Sequence, residues 1–162
     1  MLNQPGQTAD WLEEAVYQHE NRLFRAAVAI VGNKTEAEDI VQSAFVKLWE
    51  KQPTFESLAH QTAWLITVTV NLCKSRLRSH WWKKTVPLLL TYPAQNDDQH
   101  EVMEAIFALT PKYRTVIHLF YYEGYSTAEI AEITKQKETT VRQQLTRARR
   151  MLKDFLEGAE QA

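Results

Sequence analysis

Proline, glycine and cysteine are all scarce in this chain of 162 residues, which has five prolines, four glycines and one cysteine. With so few turn formers, and almost no alternating Val/Ile/Thr runs, an all-β sandwich or barrel is excluded and helices are expected. A single thiol, Cys73, leaves no internal disulfide to form, and a small core residue is the expected role rather than a redox sensor. The five histidines stand apart without metal-ligand spacing, so no structural metal and no cofactor are expected. Long hydrophobic runs are missing too: nothing approaches the roughly 18 consecutive apolar residues that mark a bilayer span. The opening MLNQPGQTADWLEE lacks the basic and then apolar order of a secretory signal. These absences predict a cytoplasmic protein with no direct membrane insertion. No nucleophile and base pair or glycine-rich phosphate loop is present, so an enzyme is the least supported class.

What is present is helical periodicity in two blocks. The first reads as helices at about 8–31, 35–51 and 58–79. In the second of these, Ile40, Val41, Ala44, Phe45, Leu48 and Trp49 form an apolar stripe, with Thr35 and Glu38 as a capping-box start. Trp64, Leu65, Val68, Leu72 and Cys73 do the same for the third. Between about 80 and 100 the periodicity fails in HWWKKTVPLLLTYPAQNDDQ, which reads as a linker holding two prolines and the acidic pair Asp97 and Asp98. A second helical block begins near His100. Within it Pro111 opens a helix after Thr110, Gly124 ends it in a left-handed cap, and Ser126 with Glu129 forms a capping box for a short helix, Thr127–Ile133. A longer helix follows from Glu138 to Leu156, its inner face carrying Val141, Leu145, Ala148, Leu152 and Phe155. The fold class expected is all-α: two small helical domains on a flexible linker, the second containing a helix-turn-helix. Tyr121, Tyr122 and Tyr125 are expected in the core and turn.

Net charge of −1 conceals two basic islands in an acidic chain. Residues 1–60 carry nine acids against five bases, residues 74–84 carry five bases and no acid, and residues 135–153 carry seven bases against Glu138 alone. Each island alone could be a solvated helix face. The second, however, lies on the helix that in a helix-turn-helix enters the major groove. That helix presents Thr139, Thr140, Arg142, Gln143, Thr146, Arg147, Arg149 and Arg150 on its outer side. Arginine can bond guanine bidentately and glutamine adenine, and hydroxyls suit phosphates, so this face fits duplex DNA.

The stretch LTPKYRTVIHLFYYEGYSTAEIAEITKQKETTVRQQLTRARRML resembles the minus-35-binding domain of sigma factors, although two-component regulators share a related pattern. EAEDIVQSAFVKLWE at 36–50 resembles the family's polymerase-binding helix, and TAWLITVTVNLCKSRLRS at 62–79 its minus-10-reading helix. In this order and spacing the chain resembles a sigma factor of the extracytoplasmic-function type. The resemblance implies a sigma-2 domain at 8–79, a linker at 80–100 and a sigma-4 domain at 101–158. It implies polymerase binding through Asp39 and Gln42, both expected on the helix face opposite Phe45 and Leu48. Minus-10 contacts fall to Asn71, Lys74, Ser75 and Arg78, and minus-35 contacts to Thr139, Thr140, Arg142, Gln143, Thr146 and Arg147. Core RNA polymerase, promoter DNA and an anti-sigma factor are the implied partners, and the role is non-enzymatic.

The chain departs from the family in several places. Lys135, Gln136 and Lys137 replace the usual glycine, apolar residue and serine or proline of the turn, which predicts a turn that is looser or shifted by a residue. Val70 stands where relatives often carry arginine, which weakens a phosphate contact there. Gln52–Gln61, which in relatives contributes to a pocket for a flipped minus-10 base, is short. Trp81 and Trp82, flanked by Lys83 and Lys84, suit either base stacking or packing. Two other readings compete: a freestanding LuxR-like helix-turn-helix regulator, and a helical protein-binding adaptor. A linker of about 20 residues could reach roughly 65 to 70 Å when extended.

Overall fold

The computed structural model describes residues 10–79 and 97–161, and every regular element among them is helical. Contacts divide the chain into two compact units, the first holding α1 (Asp10–Val31), α2 (Lys34–Lys51) and α3 (Leu58–Ser79). The second holds α4 (Asp97–Ala108), α5 (Pro111–Ile117) with a π-helical continuation at His118–Tyr122, α6 (Thr127–Thr134) and α7 (Glu138–Gln161).

In the first unit α1 packs along α3. Leu23, Ile30, Ile40, Leu48, Leu65 and Ile66 are almost wholly buried there, and each such side chain contributes about 1.5 to 3 kcal/mol on leaving water. A polar pair sits among them, with His19 Nε2 and Gln61 Oε1 2.9 Å apart and both residues buried, so the amide is satisfied where it would otherwise cost stability. Trp11 of α1 stacks on Trp49 of α2 at 6.1 Å. The α2–α3 loop is pinned by Phe55, fully buried with the His60 and Trp64 rings edge-on to it. Ser57 then accepts the His60 N–H at 3.1 Å and starts α3.

Several expectations change. Helix α2 begins at Lys34, so Thr35 lies inside its first turn and cannot be the N-cap residue; Asn33, also a good cap former, precedes the helix. Trp49 is 44% exposed, because it lies at the edge of the buried stripe and covers Trp11 from outside. In α3 the buried face is Leu65, Ile66, Thr69, Val70 and Cys73, whereas Trp64, Val68 and Leu72 are half-buried on its flanks. Threonines concealed this face from a hydrophobicity pattern: Thr69 is buried because its hydroxyl donates to the Leu65 carbonyl at 2.8 Å.

In the second unit α7 packs against α4, α5 and α6. Helix α4 starts at Asp97, ahead of the expected start near His100, and so takes in the acidic pair read as linker. Asp is a favoured residue type at a helix start, which makes a polar run there ambiguous between linker and first turn. Pro111 occupies the first turn of α5 as expected, and Gly124 has φ +75°, the left-handed region that glycine enters without strain. Tyr121 and Tyr122 are not core: both are more than half exposed, because the π turn swings them outward past the buried His118 and Leu119. Phe155 is 41% exposed, since α7 runs on to Gln161 beyond the body that covers Val141, Leu145 and Ala148. Trp81, Trp82, Lys83 and Lys84 lie outside the described residues.

The turn between α6 and α7 is closed, not loose. The capping box is complete: Ser126 Oγ accepts the Glu129 N–H at 3.1 Å, and Glu129 Oε1 accepts the Ser126 N–H at 3.0 Å. These bonds hold the Glu129 carboxyl below the usual carboxylate range. At the other end Lys135 takes the left-handed conformation (φ 57°, ψ 44°), and the Gln136 N–H reaches back to the Ala131 carbonyl at 2.9 Å. A lysine does what a glycine usually does, and it carries backbone strain in doing so. Lys135→Gly is therefore expected to stabilise the second unit by about 0.5 to 1 kcal/mol, and Ser126→Ala to destabilise it by about 1 kcal/mol. Denaturant titration of the two variants beside the parent chain checks both signs.

Candidate nucleic-acid interface

Helix α7 buries Val141, Leu145 and Ala148, and that choice fixes what its other side shows. Thr139, Gln143, Thr146 and Arg147 are exposed on the outward side. Arg142 is exposed nearer the flank and is partly engaged: its Nη2 donates to Glu138 Oε1 at 2.8 Å, and the same oxygen accepts the Thr127 hydroxyl at 2.8 Å. Glu138 thereby ties the first turn of α6 to the first turn of α7. Thr140 is half-buried and sits at the edge of the face. The Thr146 hydroxyl donates to the Arg142 carbonyl at 2.9 Å, leaving its oxygen lone pairs for an incoming donor. On the far flank Gln144 donates to Gln136 Oε1 at 2.8 Å, and Gln136 in turn donates to Thr134 Oγ1 at 2.9 Å, which locks the turn to α7. Sequence spacing could not reveal that lock, because it depends on the left-handed Lys135.

In the first unit Asn71, Lys74, Ser75 and Arg78 follow the i, i+3, i+4, i+7 spacing of one helix stripe. Ser75 and Arg78 are exposed, Asn71 and Lys74 half-buried, and the stripe lies away from the buried Val70 and Cys73. Val70 is fully buried, so its side chain faces the core and away from the Asn71 to Arg78 stripe. Cys73 is buried as well, and desolvation pushes its thiol far above the ordinary range, Arg76 opposing weakly. Arg76, passed over in the sequence, turns towards α2, where it pairs with Glu36 and lies 4.0 Å from Asp39. No local spacing links residues so far apart in the chain.

Asp39 is exposed, with its side chain 60% accessible. Gln42 is exposed too, but it does not lie opposite Phe45: one turn separates the two, and both line a groove between α1 and α2. The groove has a volume of about 690 Å³ and is walled by Leu12, Val16, Val41, Val46 and Trp49, with Glu20 at its rim. Val46 and Trp49 are 53% and 44% exposed, a large apolar surface for side chains that could have been buried. Among the described residues no cluster of His, Cys, Asp or Glu could hold a metal ion, and no helix is long and apolar enough to cross a membrane.

Comparison with known proteins agrees with this layout. Residues 15–83 match the family description Sigma-70 region 2, and residues 99–152 match Sigma-70, region 4. The ECF RNA polymerase sigma factor SigL of Mycobacterium tuberculosis is 31% identical over 154 residues, covering 88% of this chain and 87% of that protein. SigE of Mycolicibacterium smegmatis is 27% identical over 157 residues, and the match spans 61% of its length. Among solved structures, the sigma factor RpoE of Bartonella quintana, in complex with the anti-sigma factor NepR, is 25% identical with a TM-score of 0.76, covering 93% of this chain and 98% of that one.

The burial of Cys73 yields a direct test, since only a thiolate reacts quickly with alkylating reagents. Native protein should resist iodoacetamide at neutral pH and become fully labelled in denaturant. Peptide mass spectrometry of the two samples would show it.

Proposed function

Because this chain belongs to the sigma-70 family, in its extracytoplasmic-function branch, we propose that it binds core RNA polymerase and directs it to promoters with recognisable minus-10 and minus-35 elements. The observation that carries the reading is the pairing of two exposed polar helix faces, one in each unit, with an apolar groove on the first. Helix α7 reads the minus-35 element through Gln143, Thr146 and Arg147, with Thr139, Thr140 and Arg142 at the backbone. The Asn71, Lys74, Ser75 and Arg78 stripe of α3 acts at the minus-10 element and on the opened strand. Strand opening costs about 1.4 kcal/mol per stacked step, so the polymerase and this stripe must share the work.

Polymerase docks on the α1–α2 groove. An amphipathic helix laid into an apolar groove is a standard mode of recognition, and Gln42 and Asp39 give the groove and its neighbouring surface polar anchors. Trp49 adds what the sequence placed in the core: a large aromatic surface of the kind that dominates binding energies. The task requires no covalent chemistry and takes place with the polymerase in the cytoplasm. An anti-sigma protein, such as NepR in the complex of the Bartonella quintana factor, would hold the free factor inactive by covering these same surfaces.

A freestanding regulator has no use for the groove, and an adaptor has no use for the base-reading face of α7. Two substitutions separate these readings. Arg147→Ala should weaken minus-35-dependent promoters by about 1 to 3 kcal/mol if the contact is bidentate, while binding to core persists in a pull-down. Trp49→Ala should do the reverse, lowering core capture by about 2 kcal/mol as interface aromatics do, with helical content by circular dichroism unchanged. A Trp49→Ala chain that still binds core as the parent does would remove the groove from the polymerase interface.

A further inference from the structure

Arg149 and Arg150 are adjacent on α7, carry the same charge and are both exposed, yet the fold treats them differently. Consecutive helix residues point about 100° apart, so only one of the two can share the outward face of Gln143, Thr146 and Arg147. That one is Arg150, which stands four residues after Thr146 and three after Arg147. Arg149 turns towards the π-helical segment instead. Its Nε donates to the Tyr121 hydroxyl at 2.6 Å, and its guanidinium lies 5.6 Å from the Tyr121 ring centroid and 5.4 Å from that of Phe120. The two rings meet edge to face at 5.0 Å and form one aromatic corner around the cation.

The π turn is what puts the corner there. The Glu123 N–H bonds to the His118 carbonyl at 3.1 Å, five residues back, so the turn takes in one more residue than an α turn. The side chains after His118 therefore leave the register of α5. His118 stays inside, 3.2 Å from the buried Glu123 carboxylate, while Phe120 and Tyr121 come round to α7.

We propose that Tyr121, with Phe120, is a positioning residue that withholds Arg149 from DNA, so that Arg150 and not Arg149 completes the phosphate-contacting set of α7. The inference rests on the reading of α7 as the minus-35 helix. It predicts a difference between two neighbouring arginines that composition cannot distinguish. It also gives the aromatic pair a purpose: one fewer loose cation beside the groove limits binding that ignores sequence.

The test is the salt dependence of promoter binding by the holoenzyme, formed from the full chain and core polymerase, on a duplex fragment carrying the minus-35 element. The slope of log K against log salt is negative, and each phosphate contact contributes about 0.9 to its magnitude, which is the slope compared between variants. Arg150→Ala should lower the slope by about 0.9, and Arg149→Ala should leave it unchanged. Tyr121→Ala frees Arg149 and should raise the slope by about 0.9, and adding Arg149→Ala to Tyr121→Ala should return it to the parent value. A loss of slope in Arg149→Ala equal to that in Arg150→Ala would overturn the proposal, as would an unchanged slope in Tyr121→Ala. The Arg149→Ala arm decides the matter even where Tyr121→Ala loosens the π turn. If Arg147→Ala leaves affinity for the minus-35 fragment untouched and Arg142→Ala and Arg150→Ala both leave the slope untouched, α7 is not on DNA at all, which is a different failure and removes the minus-35 reading itself.

Discussion

Each helix face proposed to meet DNA is defined by the burial of the face behind it. In α3, burying Leu65, Ile66, Thr69, Val70 and Cys73 leaves the Asn71 to Arg78 stripe turned away from the core. In α7, burying Val141, Leu145 and Ala148 leaves Thr139, Gln143, Thr146 and Arg147 on the outside. A helix cannot rotate to offer a different stripe without exposing one of these sets. Truncating a buried Leu or Ile typically costs about 2 to 5 kcal/mol, a large fraction of what holds a domain of this size together. The register of the residues proposed for recognition is therefore held by apolar contacts buried within each unit.

Direction along the helix needs a second constraint, and the α6–α7 turn supplies it. The capping box starts α6, Lys135 ends it in a left-handed residue, Gln136 bridges Thr134 to Gln144, and Glu138 bonds both Thr127 and Arg142. Several of these groups are polar and partly exposed, so each bond is individually modest. Acting together they fix the angle between the two helices, which is the quantity that a helix in a groove must get right. The π segment belongs to the same geometry, since it hands Phe120 and Tyr121 to α7 while keeping His118 and Glu123 inside.

Much of this was legible in the sequence because caps and stripes are local. Ser126 with Glu129, Pro111, Gly124 and the Val141, Leu145, Ala148 spacing each depend on residues within a turn or two of one another. The inner faces failed where polarity misled: Thr69 is core because it bonds its own helix backbone, and Trp49 is exposed although its spacing fits the stripe. The α4 start was hidden because Asp suits a linker and a helix beginning equally well. What could not be read at all were pairs set by tertiary packing, among them Arg76 with Glu36, Gln136 with Gln144, Arg149 with Tyr121, and the α1–α2 groove that contains Gln42. Of the two outcomes expected from Lys135, Gln136 and Lys137, a looser turn or one shifted by a residue, the looser one is not found: Lys135 takes the left-handed conformation and the Gln136 N–H closes the turn on the Ala131 carbonyl.

A net charge of −1, with nine acids against five bases in residues 1–60, gives the free chain little attraction for a polyanion, so polymerase should be bound before DNA. Run-off transcription on fragmented genomic DNA, with core polymerase alone, with the chain alone and with both, tests that order most directly. The account predicts discrete transcripts only when both are present, together with no tight shift of the same fragments by the free chain at physiological salt. Tight promoter binding by the chain alone, with no transcripts and no association with core, would contradict it.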